Sequence, residues 1–184
     1  MIQAIFFDRD GVIGGDGHFT HPKNFRPYES AYKAFEILEA TGIKKYSFTN
    51  QYRIALNQAT LEDFIHEFES YGFDDYYICP HGKDVDCNCR KPKAGMLLQA
   101  AKDHNLDLKK CAVIGDVGTD LVAAHQVGAL KVLVKTGFGQ GALGDYKFLW
   151  EDIDADYIAE DILDAVKWIL DKHKGDQDAK KRII

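Results

Sequence analysis

Two pairs of acids in this chain are spaced for chemistry. Asp8-Arg9-Asp10-Gly11 sets two carboxylates two residues apart in an extended segment, where they can point the same way. Gly11 lets the chain turn sharply just past them. Carboxylates so close repel, and a shared proton or a hard dication with oxygen ligands, Mg²⁺ above all, relieves that repulsion. Gly115-Asp116-Val117-Gly118-Thr119-Asp120 brings a second pair. A helix opening at Thr119 would place Asp120 in its first turn, where negative charge is favoured. Each pair alone has a plainer reading, a solvated acidic turn for the first and a helix cap for the second. Ser47-Phe48-Thr49-Asn50-Gln51 adds a run of hydrogen-bonding side chains, and Arg90-Lys91-Pro92 adds two positive charges. These too read singly as a polar turn and a solvated basic pair. Their combination in this order is harder to dismiss.

A different chemistry lies between the last two motifs. Cys79, His81, Cys87 and Cys89 crowd into eleven positions, four soft or borderline ligands suited to tetrahedral Zn²⁺. Four protein ligands make such a site closed and structural. The loop they bracket has little apolar content, so a metal clip would offset the cost of ordering it. Three buried thiols and an unrelated histidine is the competing reading. Cys111, which stands apart, reads as a small buried thiol.

The elements that must position these groups alternate strand and helix. Ala4 to Phe7 is apolar throughout, as in a strand covered on both faces. Lys45–Thr49, Tyr76–Cys79, Ala112–Ile114, Leu130–Val134 and Tyr157–Ala159 read as further strands. Helices are expected over Ser30–Ala40, from Thr60 to Gly72, over Lys93–His104 and Thr119–Val127, and over Asp161–His173. Thr60-Leu61-Glu62-Asp63 resembles a capping box, and Pro92 suits the first turn of the helix that follows it. This spacing argues for a mainly parallel α/β sheet with helices on both faces. Catalytic groups in such sheets lie beyond the carboxyl ends of the strands, where the acidic motifs fall. The glycine-rich segment Thr136–Trp150 reads as a mobile loop.

The chain has 184 residues, 46% of them hydrophobic, enough for one domain with a sizeable core. The expected organisation is a single unit over residues 1–175, with a zinc-bound loop insert at 79–89 and a flexible tail over 176–184. A net charge of −6 without a long basic run argues against nucleic acid or an anionic membrane surface as partner. The amino terminus does not resemble a secretory signal, and no apolar stretch is long enough to span a membrane. A cytoplasmic monomer is expected.

Taken together, the motifs resemble the haloacid dehalogenase superfamily of phosphohydrolases. Asp8-Arg9-Asp10-Gly11 resembles its first motif, Thr49 its second, Lys91 its third, and Gly115-Asp116 with Asp120 its fourth. Phe7-Asp8-Arg9-Asp10-Gly11-Val12-Ile13, Thr49-Asn50-Gln51, Cys79-Pro80-His81, Cys87-Asn88-Cys89-Arg90-Lys91-Pro92 and Gly95-Met96-Leu97-Leu98 are similar to the branch containing heptose bisphosphate phosphatase and the histidinol-phosphate phosphatase domain. The resemblance runs to Thr136-Gly137.

It implies a Rossmann-like three-layer α/β/α fold with no large cap domain. Asp8 would attack phosphorus, and Asp10 would protonate the leaving oxygen and then activate water. Mg²⁺ would bind Asp8, Asp116 and the backbone carbonyl of Asp10, with Asp120 supporting the metal. Thr49 and Lys91 would hold phosphoryl oxygens, and Asn50 and Arg90 would reach substrate. The implied substrate is a small phosphorylated metabolite, such as D-glycero-D-manno-heptose 1,7-bisphosphate, with histidinol phosphate as the alternative. A phosphate-binding regulatory module without turnover is the alternative of another class, and the presence of both Asp8 and Asp10 argues against it. Three segments depart from the heptose enzymes: Tyr52-Arg53-Ile54 stands for Ser-Gly-Ile, Val117 for a frequent Lys, and Gly14-Gly15-Asp16-Gly17-His18 for an Asn-containing loop.

Overall fold

A computed structural model describes residues 1–181, with the backbone alone described at 173 and 175–181. Six strands, β1 (Ala4–Phe7), β2 (Lys44–Asn50), β3 (Asp75–Cys79), β4 (Cys111–Gly115), β5 (Leu130–Val134) and β6 (Tyr157–Ala159), form one sheet in the order β3-β2-β1-β4-β5-β6. Every adjacent pair is parallel. The strand order reverses direction at β1, which opens a crevice beyond the carboxyl ends of β1, β2 and β4. Register fixes the crevice. Phe7 pairs with Ser47 and with Ile114, so Asp8, the Thr49 segment and Asp116 emerge side by side.

Six helices complete the three layers: α1 (Glu29–Glu39), α2 (Leu61–Ser70), α3 (Gly95–His104), α4 (Gly118–Val127), α5 (Gly139–Leu143) and α6 (Ile162–Lys181). The uniformly apolar strands are explained by their two-sided burial. On one face Ile5, Phe7, Ile114 and Val132 pack with Phe35 and Leu38 of α1, Phe64 and Phe68 of α2, and Val166 and Ile169 of α6. On the other, Phe6, Phe48 and Val113 pack with Met96 and Leu97 of α3 and Ala123 and Ala124 of α4. This is the α/β/α fold expected from the alternating pattern.

The local signals worked as physics requires. Thr60 Oγ1 accepts from the Asp63 amide at 3.1 Å while Asp63 returns a bond to the Thr60 amide at 2.9 Å, closing the capping box. Some boundaries differ. Helix α3 starts at Gly95 rather than Lys93, so Pro92 precedes the helix instead of sitting in its first turn. Thr136–Trp150 is not an irregular loop: it holds α5 and a 3-10 turn at Lys147–Trp150, anchored by the buried Trp150, whose indole donates to Ala142 O at 3.0 Å. Helix α6 runs past the expected stop at His173 to Lys181, and the end of the expected tail, 182–184, lies outside the described residues. Among the described residues no helix is long and apolar enough to cross a membrane.

Candidate active site and metal centre

Strand β1 delivers Asp8 to the floor of a cleft of about 480 Å³ that Asp10, Thr49, Asn50, Gln51, Arg90, Lys91 and Asp116 also line. The Asp8 amide is held by Ile114 O at 3.0 Å, tying the first motif to the end of β4. Asp8, Asp116 and Asp120 are all buried, and each offers an oxygen within 4.8 Å of the others. Among the described residues, the cation paired with them is Lys91. Lys91 Nζ stands 2.9 Å from Asp8 Oδ2 and 2.6 Å from Asp120 Oδ1, and it donates to Phe48 O at 2.9 Å. Three carboxylates against one ammonium leave excess negative charge in a dry setting. Burial, then the charges of Asp8 and Asp120, raise the Asp116 carboxyl well above the usual carboxylate range. Burial likewise pushes Asp120 up to about 7, although Lys91 opposes it. A hard dication fits this oxygen set and would relieve the repulsion. Asp120, expected to support the metal, lies in this acidic group with one oxygen paired to Lys91.

The packing around Asp116 is close. Its Oδ2 accepts from the Phe138 amide at 2.8 Å. Gly11 (φ +84°) and Gly137 (φ +56°) press on the same oxygen, which a Cβ would approach to 2.0 and 2.2 Å respectively. Both glycines are required by backbone conformation and by this contact.

Asp10 stands outside the three-acid group. Its Oδ1 accepts from Arg9 Nη1 at 2.6 Å and its Oδ2 from Gln51 Nε2 at 2.7 Å. Its side chain is therefore fixed for a role other than gathering with Asp8, Asp116 and Asp120, and the expected metal contact of Asp10 was through its backbone carbonyl. Burial raises its carboxyl to about 6, the Arg9 guanidinium opposing, which poises it for proton transfer near neutrality. Thr49 is buried at the end of β2 and accepts from Gln51 Nε2 at 3.0 Å. Asn50 clasps the third motif: its Nδ2 donates to Lys91 O at 3.3 Å, and its Oδ1 accepts from the Lys91 amide at 3.1 Å.

The cysteine cluster assembles as expected. Cys89 Sγ lies 3.2 Å from Cys79 Sγ and 3.2 Å from His81 Nδ1, and Cys79 Sγ lies 3.7 Å from Cys87 Sγ. Zinc–sulfur bonds of about 2.3 Å give tetrahedral edges of roughly 3.8 Å, which the Cys79–Cys87 pair matches, while the 3.2 Å contacts are tighter and would open slightly around an ion. Burial, with bonding to the Cys89 thiol, pushes Cys79 up to about 12, so a metal would have protons to displace. Arg90 Nη1 donates to His81 O at 3.0 Å, which links this loop to the basic pair.

Sequence reasoning passed over several residues. Gln51, two residues beyond Thr49, turns its side chain the same way and donates to both Thr49 Oγ1 and Asp10 Oδ2. Arg53 and Lys83 line the cleft, Arg53 at a position where it replaces a usual glycine. Arg9 and its partner Glu67 lie 58 positions apart, and no local signal joins them. His18 lines the cleft mouth with its ring 4.9 Å from that of Phe138, whereas His21 does not line it.

Buried carboxylates around a buried lysine, with Asp10 set apart from them, at the carboxyl end of a Rossmann-ordered sheet fit a phosphohydrolase class, and comparison with known proteins agrees. The HAD-hydrolase-like family matches residues 88–165. The D-glycero-β-D-manno-heptose-1,7-bisphosphate 7-phosphatase of Haemophilus ducreyi is 35% identical, over 91% of this chain and 98% of its own. The D-glycero-D-manno-heptose-1,7-bisphosphate 7-phosphatase of Thermosynechococcus vestitus is 33% identical, over 90% and 94%. The crystal structure of D,D-heptose 1,7-bisphosphate phosphatase from B. bronchiseptica, complexed with magnesium and phosphate, superposes with a TM-score of 0.82 at 26% identity, over 93% of this chain and 99% of that one. The chain belongs to the haloacid dehalogenase-like hydrolases. It is a phosphatase of that family, sharing its parallel α/β fold.

Proposed function

We propose that this phosphatase hydrolyses a sugar phosphate, D-glycero-D-manno-heptose 1,7-bisphosphate, through an aspartyl-phosphate on Asp8. The observation that carries the mechanism is the pairing of two different acids: Asp8 within the acidic group and beside Lys91, and Asp10 apart from it between Arg9 and Gln51. A carboxylate that lines the cleft beside an ammonium can attack, and a carboxyl raised to about 6 can give up a proton. The substrate assignment rests on relatives of that name that align over nearly the whole chain.

In this reading Asp8 Oδ attacks phosphorus as the ester P–O bond breaks, and the Asp10 proton passes to the departing alkoxide. Asp10, now ionised, takes a proton from the water that hydrolyses the acyl phosphate, which restores both acids and frees inorganic phosphate. Thr49 and Lys91 orient the phosphoryl oxygens, and Arg90 and Asn50 border the sugar. Mg²⁺ would be held by Asp8, Asp116 and the Asp10 carbonyl, with Asp120 beside them, and it supplies charge neutralisation for the transferring group. Zn²⁺ would be held by Cys79, His81, Cys87 and Cys89 and would order the loop that leads into Arg90 and Lys91. Residues 1–175 act as one phosphatase unit, with 79–89 as the zinc-bound insert.

A panel of phosphorylated sugars and histidinol phosphate, ranked by kcat/KM with Mg²⁺ present, tests the substrate. The 1,7-bisphosphate should lead the panel. A higher kcat/KM for histidinol phosphate, or equal turnover across the panel, would reject the assignment.

A further inference from the structure

Arg9 is the residue between the two catalytic acids, yet it points away from the cleft. It is fully buried, its guanidinium 3.7 Å from the Phe25 ring centroid and 5.1 Å from that of Phe64. Neither Arg9 nor Glu67 lines the cleft. Each polar edge of the guanidinium is used. Nε and Nη2 meet Glu67 Oε1 and Oε2, both at 2.7 Å, in a bidentate fork. Nη2 also donates to Thr20 O at 2.9 Å, and Nη1 donates to Asp10 Oδ1 at 2.6 Å.

An arginine side chain has many rotamers, and only a planar two-point grip fixes the plane and direction of its third edge. Glu67 is that grip. It comes from the middle of α2, a helix packed through Phe64 and Phe68 into the core beneath the sheet, so it is a rigid support. The other edge of Asp10 is held by Gln51, just past the end of β2. The acid is thus set by two supports from different elements, which fixes the plane and direction of its carboxyl.

We infer that Glu67 is a positioning residue for the acid step, acting on Asp10 through Arg9 without contacting substrate. This rests on the reading of Asp10 as the proton donor. Proton donation matters most when the departing alkoxide is a poor leaving group and little when it is stable by itself. Loss of Glu67 should therefore act selectively on alkyl phosphates, whereas a merely structural loss lowers every substrate alike. The ratio of two kcat values in one sample is also independent of the fraction folded.

The test is Glu67→Gln, with Glu67→Asp as a second variant should the first give too little folded protein, and with Asp10→Asn measured alongside. For each, kcat and KM are taken for an alkyl phosphate and for 4-nitrophenyl phosphate with Mg²⁺ present. Glu67→Gln should lower the alkyl-to-nitrophenyl kcat ratio about tenfold or more, with KM changed less than about threefold, in the same direction as a larger fall in Asp10→Asn. If the ratio collapses in Asp10→Asn but holds in the Glu67 variants, the role of Glu67 is overturned while that of Asp10 stands. If it holds in Asp10→Asn as well, the acid assignment itself fails, and the inference with it.

Discussion

Replacing Lys91 by methionine probes the acidic group most sharply. The side chain keeps an unbranched shape one atom shorter and loses its charge, so Asp8, Asp116 and Asp120 lose the cation that faces them. At separations of 2.6 and 2.9 Å the two ion pairs are each worth about 6 kcal/mol of gross attraction at an effective dielectric of about 20. Removing the ammonium also removes its own desolvation cost, so the net loss is smaller, about 3–5 kcal/mol, as for one partner deleted from a buried pair. Phe48 O loses the bond it accepts from Lys91 at 2.9 Å as well. For a domain of this size each kcal/mol is about 2–4 °C of melting temperature, so the variant should melt roughly 6–20 °C lower in magnesium-free buffer. Excess Mg²⁺ should return more stability to the variant than to the parent, because the unneutralised acids gain more from a dication. Turnover of an aryl phosphate should fall by about 10² or more, a phosphoryl ligand being lost with the charge. Calorimetric melts with and without Mg²⁺, beside initial rates, read all three. A variant melting within about 2 °C of the parent without Mg²⁺ would refute the electrostatic reasoning.

The same acids give the metal-free protein a pH dependence of stated sign. Asp10 at about 6 and Asp120 at about 7 sit above the ordinary value of about 4, so their stabilising contribution is full below about 4 and lost as pH rises through 6 and 7. Melting temperature in magnesium-free buffer should fall between pH 5 and 8, less so with Mg²⁺ present; a rise over that range would contradict it. Gly137→Ala sets a Cβ 2.2 Å from Asp116 Oδ2 and 2.4 Å from the Gly11 backbone at a positive φ, so it should raise the half-saturating Mg²⁺ concentration and lower the melting temperature. Unchanged values of both would show that Asp116 is not confined as described. Stripping zinc with a strong chelator and restoring excess Mg²⁺ should lower kcat/KM and melting temperature, since the loop bracketed by Cys79 and Cys89 leads directly into Arg90 and Lys91. Unaltered melting and kinetics would separate the cysteine cluster from the active site.

How far the sequence carried can be traced residue by residue. Asp8, Thr49 and Asp116 were legible because each follows an apolar run, and the parallel register then sets strand ends side by side. The capping box at Thr60 and the cysteine spacing are local codes that fold as written. Glycine content alone misled at 136–150, where Trp150 is buried and pins two short helical turns. Arg9 and Glu67 were opaque for the opposite reason: their bond joins a strand end to a distant helix, and an arginine between two acids reads as a surface charge until the fold encloses it. Asp120 was legible as an acid in a first helical turn, but its contact with Lys91 joins two distant motifs and carries no local signal.

The central claim is that Asp8 carries the phosphoryl group. Rapid acid quench of the enzyme turning over substrate with Mg²⁺, followed by peptide mapping, measures it directly. A phosphorylated peptide whose modification maps to Asp8, absent in Asp8→Asn, is the expected result. Phosphate release at full rate from Asp8→Asn, or a modification on any other residue, would contradict the account.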